Sequence, residues 1–391
     1  MIEVTARLAR GSAYFAGEPI KCLLTFKNVG NPKDPMSESP KKTSAKADTL
    51  AWASAQIACF CSVSGSRVIM PESLSNNMMM ASQEVKMQHR LPHKEEHGRC
   101  VLQTNIKILF CDLRLMPGEL KHFCFNDVIP SHAFPSYRGP SVKYSYKITI
   151  AMQRVGAPVR VLRVPLRVLV LYGVTEFKVE DEPLTNSLFI PTPEPTNLLD
   201  IASEILSTIT SRKNSHNYKI ANTSGTITVF TLLKGSVRLG EDIVGMFDFS
   251  SGTVPCVQFT VCLQSEEEIS EECQRHQDVG NAILSYEKHT QYCLFLKKTH
   301  IAVPVPLHST PGFLTDLVCL KWRLHFEFVV SKGPLKKVKL DPTQSDDCMW
   351  QGPSHLETDT VSWDLPVRIL PTMPMQAESS GCTMNSYSLT I

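Results

Sequence analysis

The string HKEEH at His93–His97 has the residue types and order of a zinc-peptidase motif, two histidines to hold a metal and a glutamate beside them. That chemistry needs a helix that turns both imidazoles to one side, and a third ligand. Pro92 and Gly98 flank the string inside a polar stretch, so zinc hydrolysis is not expected. GSVRLGED (Gly235–Asp242) opens like a phosphate loop, G-x-x-x-x-G, but Glu241 and Asp242 stand where Lys and Ser/Thr would hold phosphate and Mg²⁺. Acidic groups there repel phosphate, and strand–turn–strand is the better reading. Cys59 and Cys61 in CFC fall on one face of a strand, yet nothing nearby supplies two more zinc ligands. The cysteines number 13, are scattered and form no CxxC pair, which suits reduced core thiols. No G-x-S-x-G occurs, and Asp, His and Ser are too dispersed to suggest a triad. No catalytic, cofactor-binding or metal-binding residue is therefore expected, and no cofactor.

Two charged stretches remain. SEEEISEEC (Ser265–Cys273) reads as the first turns of a solvated helix capped by Ser265. Lys143, Lys147, Arg160, Arg163 and Arg167 read as a solvated sheet face, with acidic lipid headgroups as the other reading.

The elements that must carry these residues are strands. In LKWRLHFEF (Leu320–Phe328) five apolar residues alternate with Lys321, Arg323, His325 and Glu327; VKYSYKITI (Val142–Ile150) does the same. Period two means one dry face and one wet face, as in antiparallel sheets. The plan is written twice. LARGSAYFAGEPIKCLLTF (Leu8–Phe26) and LLKGSVRLGEDIVGMFDF (Leu232–Phe249) share a basic residue, Gly-Ser, a short apolar stretch, Gly-Glu and an apolar strand. Gly11-Ser12 matches Gly235-Ser236, and Gly17-Glu18 matches Gly240-Glu241. RVPLRVL (Arg163–Leu169) and DLPVRIL (Asp364–Leu370) close the two halves. An all-β chain of two related antiparallel β-sandwich domains follows, 1–174 and 220–371.

Polar stretches interrupt the plan. Residues 31–49 and 64–99 read as disordered loops, the second holding Met78, Met79 and Met80 as an adaptable contact or as loop residues without a partner. Between them Leu50–Val63 reads as a strand. Residues 175–219 form a junction, proline-rich at first, then LLDIASEILSTITSRKN. Leu198, Ile201, Ala202, Ile205, Leu206 and Ile209 share one helical face, capped by Thr196 or Asn197. The face either packs on its own domains or docks a partner, and Leu198, Ile201, Ile205, Leu206 and Ile209 are the candidate partner-binding residues. Residues 372–391 read as a flexible tail.

Composition narrows the classes. At 42% hydrophobic and 20% charged the chain is an ordinary globular one. A net charge of +2 argues against a nucleic-acid partner. MIEVTARLAR starts as a strand rather than as a signal peptide. No run of about 18 apolar residues is present, so no membrane span is expected.

Several stretches resemble known proteins. Ile129–Ile150, IPSHAFPSYRGPSVKYSYKITI, resembles the arrestin signature: a proline-led turn, a Ser-aromatic-Gly segment and a lysine–tyrosine alternating strand. LAWASAQIACFCSV (Leu50–Val63), KGSVRLGEDIVGMFDF (Lys234–Phe249) and TPGFLTDLVCLKWRLHFEFV (Thr310–Val329) more narrowly resemble the Golgi retrograde-transport Rgp family. The resemblance implies a tandem arrestin-like fold. It also implies a non-enzymatic subunit that pairs with a large Ric-type subunit as a guanine-nucleotide exchange factor for a Golgi Rab GTPase of the Rab-six class. Such a protein is cytosolic and peripherally bound to Golgi membranes, where it supports endosome-to-Golgi retrograde transport. The resemblance brings no catalytic residues. The alternative is an arrestin-like adaptor for cargo or receptor tails; the α-arrestin version usually carries Pro-Pro-x-Tyr, and this chain has no Pro-Pro pair.

Overall fold

Alternation becomes burial in strand β19 (Val318–Ser331) and in the first half of strand β9 (Val142–Arg154), whose Ile148–Met152 are buried on both faces, Thr149 included. Leu320, Trp322, Leu324, Phe326 and Phe328 are buried, while Lys321 is exposed and Arg323, His325 and Glu327 are half-buried on the opposite face. Full burial of one such phenylalanine stabilises by about 2–3 kcal/mol. The computed structural model describes residues 1–30, 47–71, 98–171, 198–211, 215–276, 280–335, 355–378 and 386–391. Strands dominate it, mostly in antiparallel pairs, and the chain is all-β.

In the first unit β1 (Ile2–Leu8), β3 (Pro19–Asn28) and β7 (Leu120–Val128) lie side by side, with β22 (Ser386–Thr390) on the free edge of β1. The second sheet runs β2 (Ala13–Phe15), β10 (Arg160–Leu169), β9, β4 (Asp48–Val63), β5 (Arg99–Gln103). Strand β6 (Lys107–Leu115) also pairs with β4, and β8 (Tyr137–Arg138) with β9. Both sheets contribute to one core, with Ile2, Val4, Leu24 and Phe26 from the first and Ile57, Cys59, Tyr146 and Ile148 from the second.

The second unit repeats this order. β11 (His216–Asn222), β12 (Gly225–Leu232), β14 (Asp242–Asp248) and β17 (Lys298–Pro304) form one sheet. β16 (Ala282–Tyr292), β15 (Cys256–Ile269), β19 and β18 (Phe313–Leu314) form the other, with β20 (Thr358–Pro366) also on β19. β13 (Ser236–Arg238) pairs in parallel with β21 (Arg368–Leu370), as β2 does with β10. Phe230, Phe247, Phe259, Phe326 and Phe328 fill the core.

The duplication holds atom by atom at the Gly-Glu turns. Gly17 and Gly240 have φ of 86° and 83°, the left-handed region that glycine enters without a Cβ clash. The Glu18 carboxylate accepts from the Phe15 N–H at 2.9 Å, and that of Glu241 from the Arg238 N–H at 3.1 Å. The Gly17 N–H donates to the Ile129 carbonyl and the Gly240 N–H to that of Val305.

Four expectations change. Ser265–Ile269 is not helix but the end of β15; only Glu271–Cys273 makes a short 3-10 turn. Pairing with β19 holds the run extended, because Leu263, Ser265, Glu267 and Ile269 continue the buried face of Phe259 and Val261. The segment 372–391 is not simply a tail. Pro374–Ala377 forms one helical turn, and β22 pairs with β1 from Glu3↔Thr390 to Arg7↔Ser386. Tyr387, Leu389 and Ile391 pack on the first core, which gives that segment a reason to dock. The second unit starts at His216, inside the stretch assigned to the junction. Finally, Ser64–Pro71 is ordered: Val68 is buried and bridges Gln274 of the other unit. HKEEH, the three methionines, Thr196 and Asn197 lie outside the described residues.

Candidate functional site

The one helix of several turns among the described residues, α1 (Leu198–Ser211), lies where the two units meet. Its sequence favours a helix because apolar residues recur three and four apart, with Asp200 in the first turn facing the positive end of the dipole. Ala202, Leu206 and Thr210 are buried, one above another. Ala202 and Leu206 close a small third core with Ala13 and Phe15 of β2, Leu169 at the end of β10, Leu171 just after it, Leu370 of β21, and Ala377. The helix therefore spans both copies of the repeat. Leu198 reaches the Gly17 turn, where its Cδ1 would stand 3.3 Å from a Cβ on Gly17. At the other end Arg238 of β13 donates to the Thr210 hydroxyl at 2.9 Å, and that hydroxyl donates to the Leu206 carbonyl at 2.7 Å.

The candidate partner-binding residues divide accordingly. Leu206 is fully buried and offers no surface to a partner. Leu198, Ile205 and Ile209 are half-buried against the same core, and Ile201 is half-buried. Most of the face serves the chain's own seam.

Away from the helix the seam mixes polar and apolar contacts: Ile269, Phe313, Leu317 and Leu320 of the second unit join the first core, and hydrogen bonds run beside them. Glu267, buried in β15, accepts from the Tyr137 hydroxyl at 2.6 Å and from the Ser141 N–H at 2.8 Å, both in the first unit. Burial, then the adjoining carboxylate, push the Tyr137 phenol far above its ordinary value, so it stays a donor. Arg167 of β10 turns away from the solvated sheet face expected of it. Its guanidinium donates to the carbonyls of Leu307 at 2.9 Å and Ser309 at 3.0 Å in the second unit. Desolvation lowers its pKa, with Glu378 opposing. The Thr310 hydroxyl donates to the Ser136 carbonyl at 2.9 Å, and Tyr137 meets Phe313 edge-on at 5.0 Å. The Glu378 carboxylate accepts from the Ala13 N–H.

Glu267 and Arg167 were not singled out as seam residues in the sequence. The signal for Glu267 was present: counting by two from Phe259 through Val261 and Leu263 places it inside. Its neighbours point out, Glu266 to Arg323 at 3.3 Å and Glu268 to Lys321. Nothing local marks Arg167 against Arg163.

This arrangement holds the two units in one geometry. Burial drives the thiols of Cys59 and Cys61 upward, the latter to about 12, which keeps them protonated and poor nucleophiles. Among the described residues no three His, Cys, Asp or Glu side chains converge as a metal site, and no helix is long and apolar enough to cross a membrane.

Comparison with known proteins fixes the family. The Rgp1 family model matches residues 27–180 and 185–331, through both units and up to β19. The chain belongs to the Rgp1 family. Two curated relatives run nearly the same length. RAB6A-GEF complex partner protein 2 of Homo sapiens is 43% identical over 404 aligned positions, covering the whole of both chains. Its namesake from Bos taurus is 44% identical over 381, covering 94% of this chain and 93% of the relative. The aligned positions of the first relative cover the whole of this Rgp1 chain, the helix and the seam as well as the sheets.

Proposed function

We propose that this chain is the arrestin-like, non-enzymatic subunit of a heteromeric guanine-nucleotide exchange factor for a Rab GTPase of the Rab-six class. It pairs with a large Ric-type subunit and acts peripherally on Golgi membranes in endosome-to-Golgi retrograde transport. The observation that carries this reading is end-to-end identity of 43% with a protein named as a RAB6A-GEF complex partner. The physical chemistry agrees. Exchange makes and breaks no covalent bond; the factor binds the nucleotide-free GTPase better than the loaded one and so speeds release. Two units joined by buried hydrogen bonds and apolar contacts suit a subunit that holds a partner in place.

The test is release of a fluorescent guanine nucleotide from a purified Rab-six-class GTPase. This protein alone, its large partner alone and both together are compared. Acceleration only with both is expected. If no mixture accelerates release while the partner is folded, the exchange reading falls, and recovery of transmembrane receptor tails with this chain would establish an adaptor instead.

A further inference from the structure

The loop joining β16 to β17 is a tight turn of unusual composition. The Leu296 N–H donates to the Cys293 carbonyl at 3.0 Å, so Leu294 and Phe295 occupy its two central positions. Phe295 has φ of 63°. That region is open to glycine and tolerated by asparagine, and a bulky side chain there is strained. The residue placed in it is not tucked away: Phe295 is 53% exposed and Tyr292 75%, and Leu294 and Leu296 are exposed beside them. Cys293 alone points inward, buried, with its N–H on the Val257 carbonyl at 2.9 Å. The turn thus presents four large apolar side chains outward on the connection from one sheet of the second unit to the other, β16 lying on β15 and β17 on β14.

Charge surrounds the tip of this turn on one side. From Lys288 to Pro304 there is no acidic residue, and Lys288, His289, Lys297, Lys298 and His300 are all exposed. Two of these lysines have partners on neighbouring strands, Lys298 with Asp248 at 3.2 Å and Lys288 with Glu327 at 3.3 Å. Lys297 has no ion-pair partner among the described residues. The Phe249 N–H donates to its carbonyl at 2.8 Å, which brings the Ser250–Ser251 turn alongside.

We propose that this tip inserts into the interfacial layer of an anionic lipid bilayer, with Leu294, Phe295 and Leu296 among the acyl chains and Lys297 and Lys298 at the headgroups. An isolated convex apolar tip fits a soft interface, whereas a protein partner would be met by a groove or a flat patch. Lysines immediately after the apolar run are placed to reach anionic headgroups as the run enters. The inference rests on reading the chain as a peripheral membrane subunit and names the surface that would do it.

The experiment is sedimentation of the full chain, alone and with its large partner, with phosphatidylcholine vesicles that contain or lack phosphatidylserine. No GTPase or nucleotide is present, so the result is independent of the exchange assay. Binding to the serine-lipid vesicles, weakened by salt, is expected. Phe295→Asn should lower partition by about tenfold, while its thermal midpoint holds or rises because asparagine suits the positive φ. Leu294→Ser with Leu296→Ser should act in the same direction. Equal partition of wild type and Phe295→Asn overturns the proposal, as does a wild type that binds neither vesicle. Loss of the large partner on Phe295→Asn, with vesicle binding unchanged, also overturns it and assigns the tip to protein contact.

Discussion

Gly17 and Gly240 stand at the same turn of two copies of one motif, yet the sheets around them are completed differently. In the second unit the strand beside β12 is β11, the segment just before it in sequence. In the first unit the place beside β1 is taken by β22, from the far end of the chain. Duplication supplied each unit with a core and a Gly-Glu turn. It did not supply the first unit with an edge strand, and the last residues of the chain do that work after crossing the seam at Ala377 and Glu378. The two units therefore share a helix, a buried seam and a returning chain segment, and the first is finished only by a strand that follows the second.

Removing the helix contact should break this equivalence most strongly. Leu206→Ala deletes a fully buried side chain from the third core and is expected to cost about 3 kcal/mol. Because that core touches both copies, unfolding followed by tryptophan fluorescence and by circular dichroism should change from coincident to separated transitions. Coincident transitions at an unshifted midpoint would show that the seam holds without the helix. Ile205→Asp with Ile209→Asp probes the half-buried rim: unchanged stability together with unchanged recovery of the large partner would remove that rim from any docking role.

A smaller effect, confined to one unit, is expected from deleting residues 386–391. The ladder from Glu3↔Thr390 to Arg7↔Ser386 would be lost, along with the packing of Tyr387 and Leu389, for roughly 2 kcal/mol. Hydrogen exchange should show faster amides in β1 and unchanged ones in β12, whose neighbour β11 is untouched. Equal protection of β1 with and without the chain end would mean that the edge needs no partner strand.

How far the sequence disclosed this depends on whether a feature is periodic or relational. The alternating strands, the paired Gly-Glu turns and the helix over Leu198–Ile209 are periodic or repeated, and they were legible because local geometry repeats them. β22 was not, since SYSLT is short, polar and distant from the strand it completes; only the vacant edge of β1 explains it. The acidic run misled because three glutamates suggest solvent, while strand pairing overrides composition and buries the middle one. Arg167 looks like Arg163 in sequence and differs only in what the second unit brings against it. The candidate site was thus half legible: its helix could be named, but not the seam residues that make the helix necessary.

The two cores also differ in titratable content, and that gives the mildest prediction. Tyr14, Tyr137, Tyr144 and Tyr146 are buried in the first unit, and no described tyrosine of the second is buried. The second unit fills the same space with phenylalanine and tryptophan, Cys256 beside Cys293 being its ionisable exception. Burial pushes the Tyr14 phenol from 10 to about 12 and the Cys22 thiol from 9 to about 12. The folded state holds these protons after the unfolded chain has released them, so unfolding is favoured as pH rises. Stability is intact below the ordinary values of 9 and 10 and declines as pH climbs toward 12. Hydrogen exchange at pH 10.5 should therefore show β4 and β9 opening before β15 and β19. Tyr14→Phe should narrow the gap, since it removes one raised phenol at the cost of the bond to the Arg10 carbonyl at 2.7 Å. If both pairs of strands open together, the thiols common to the two cores, and not the phenols of the first, set the alkaline limit.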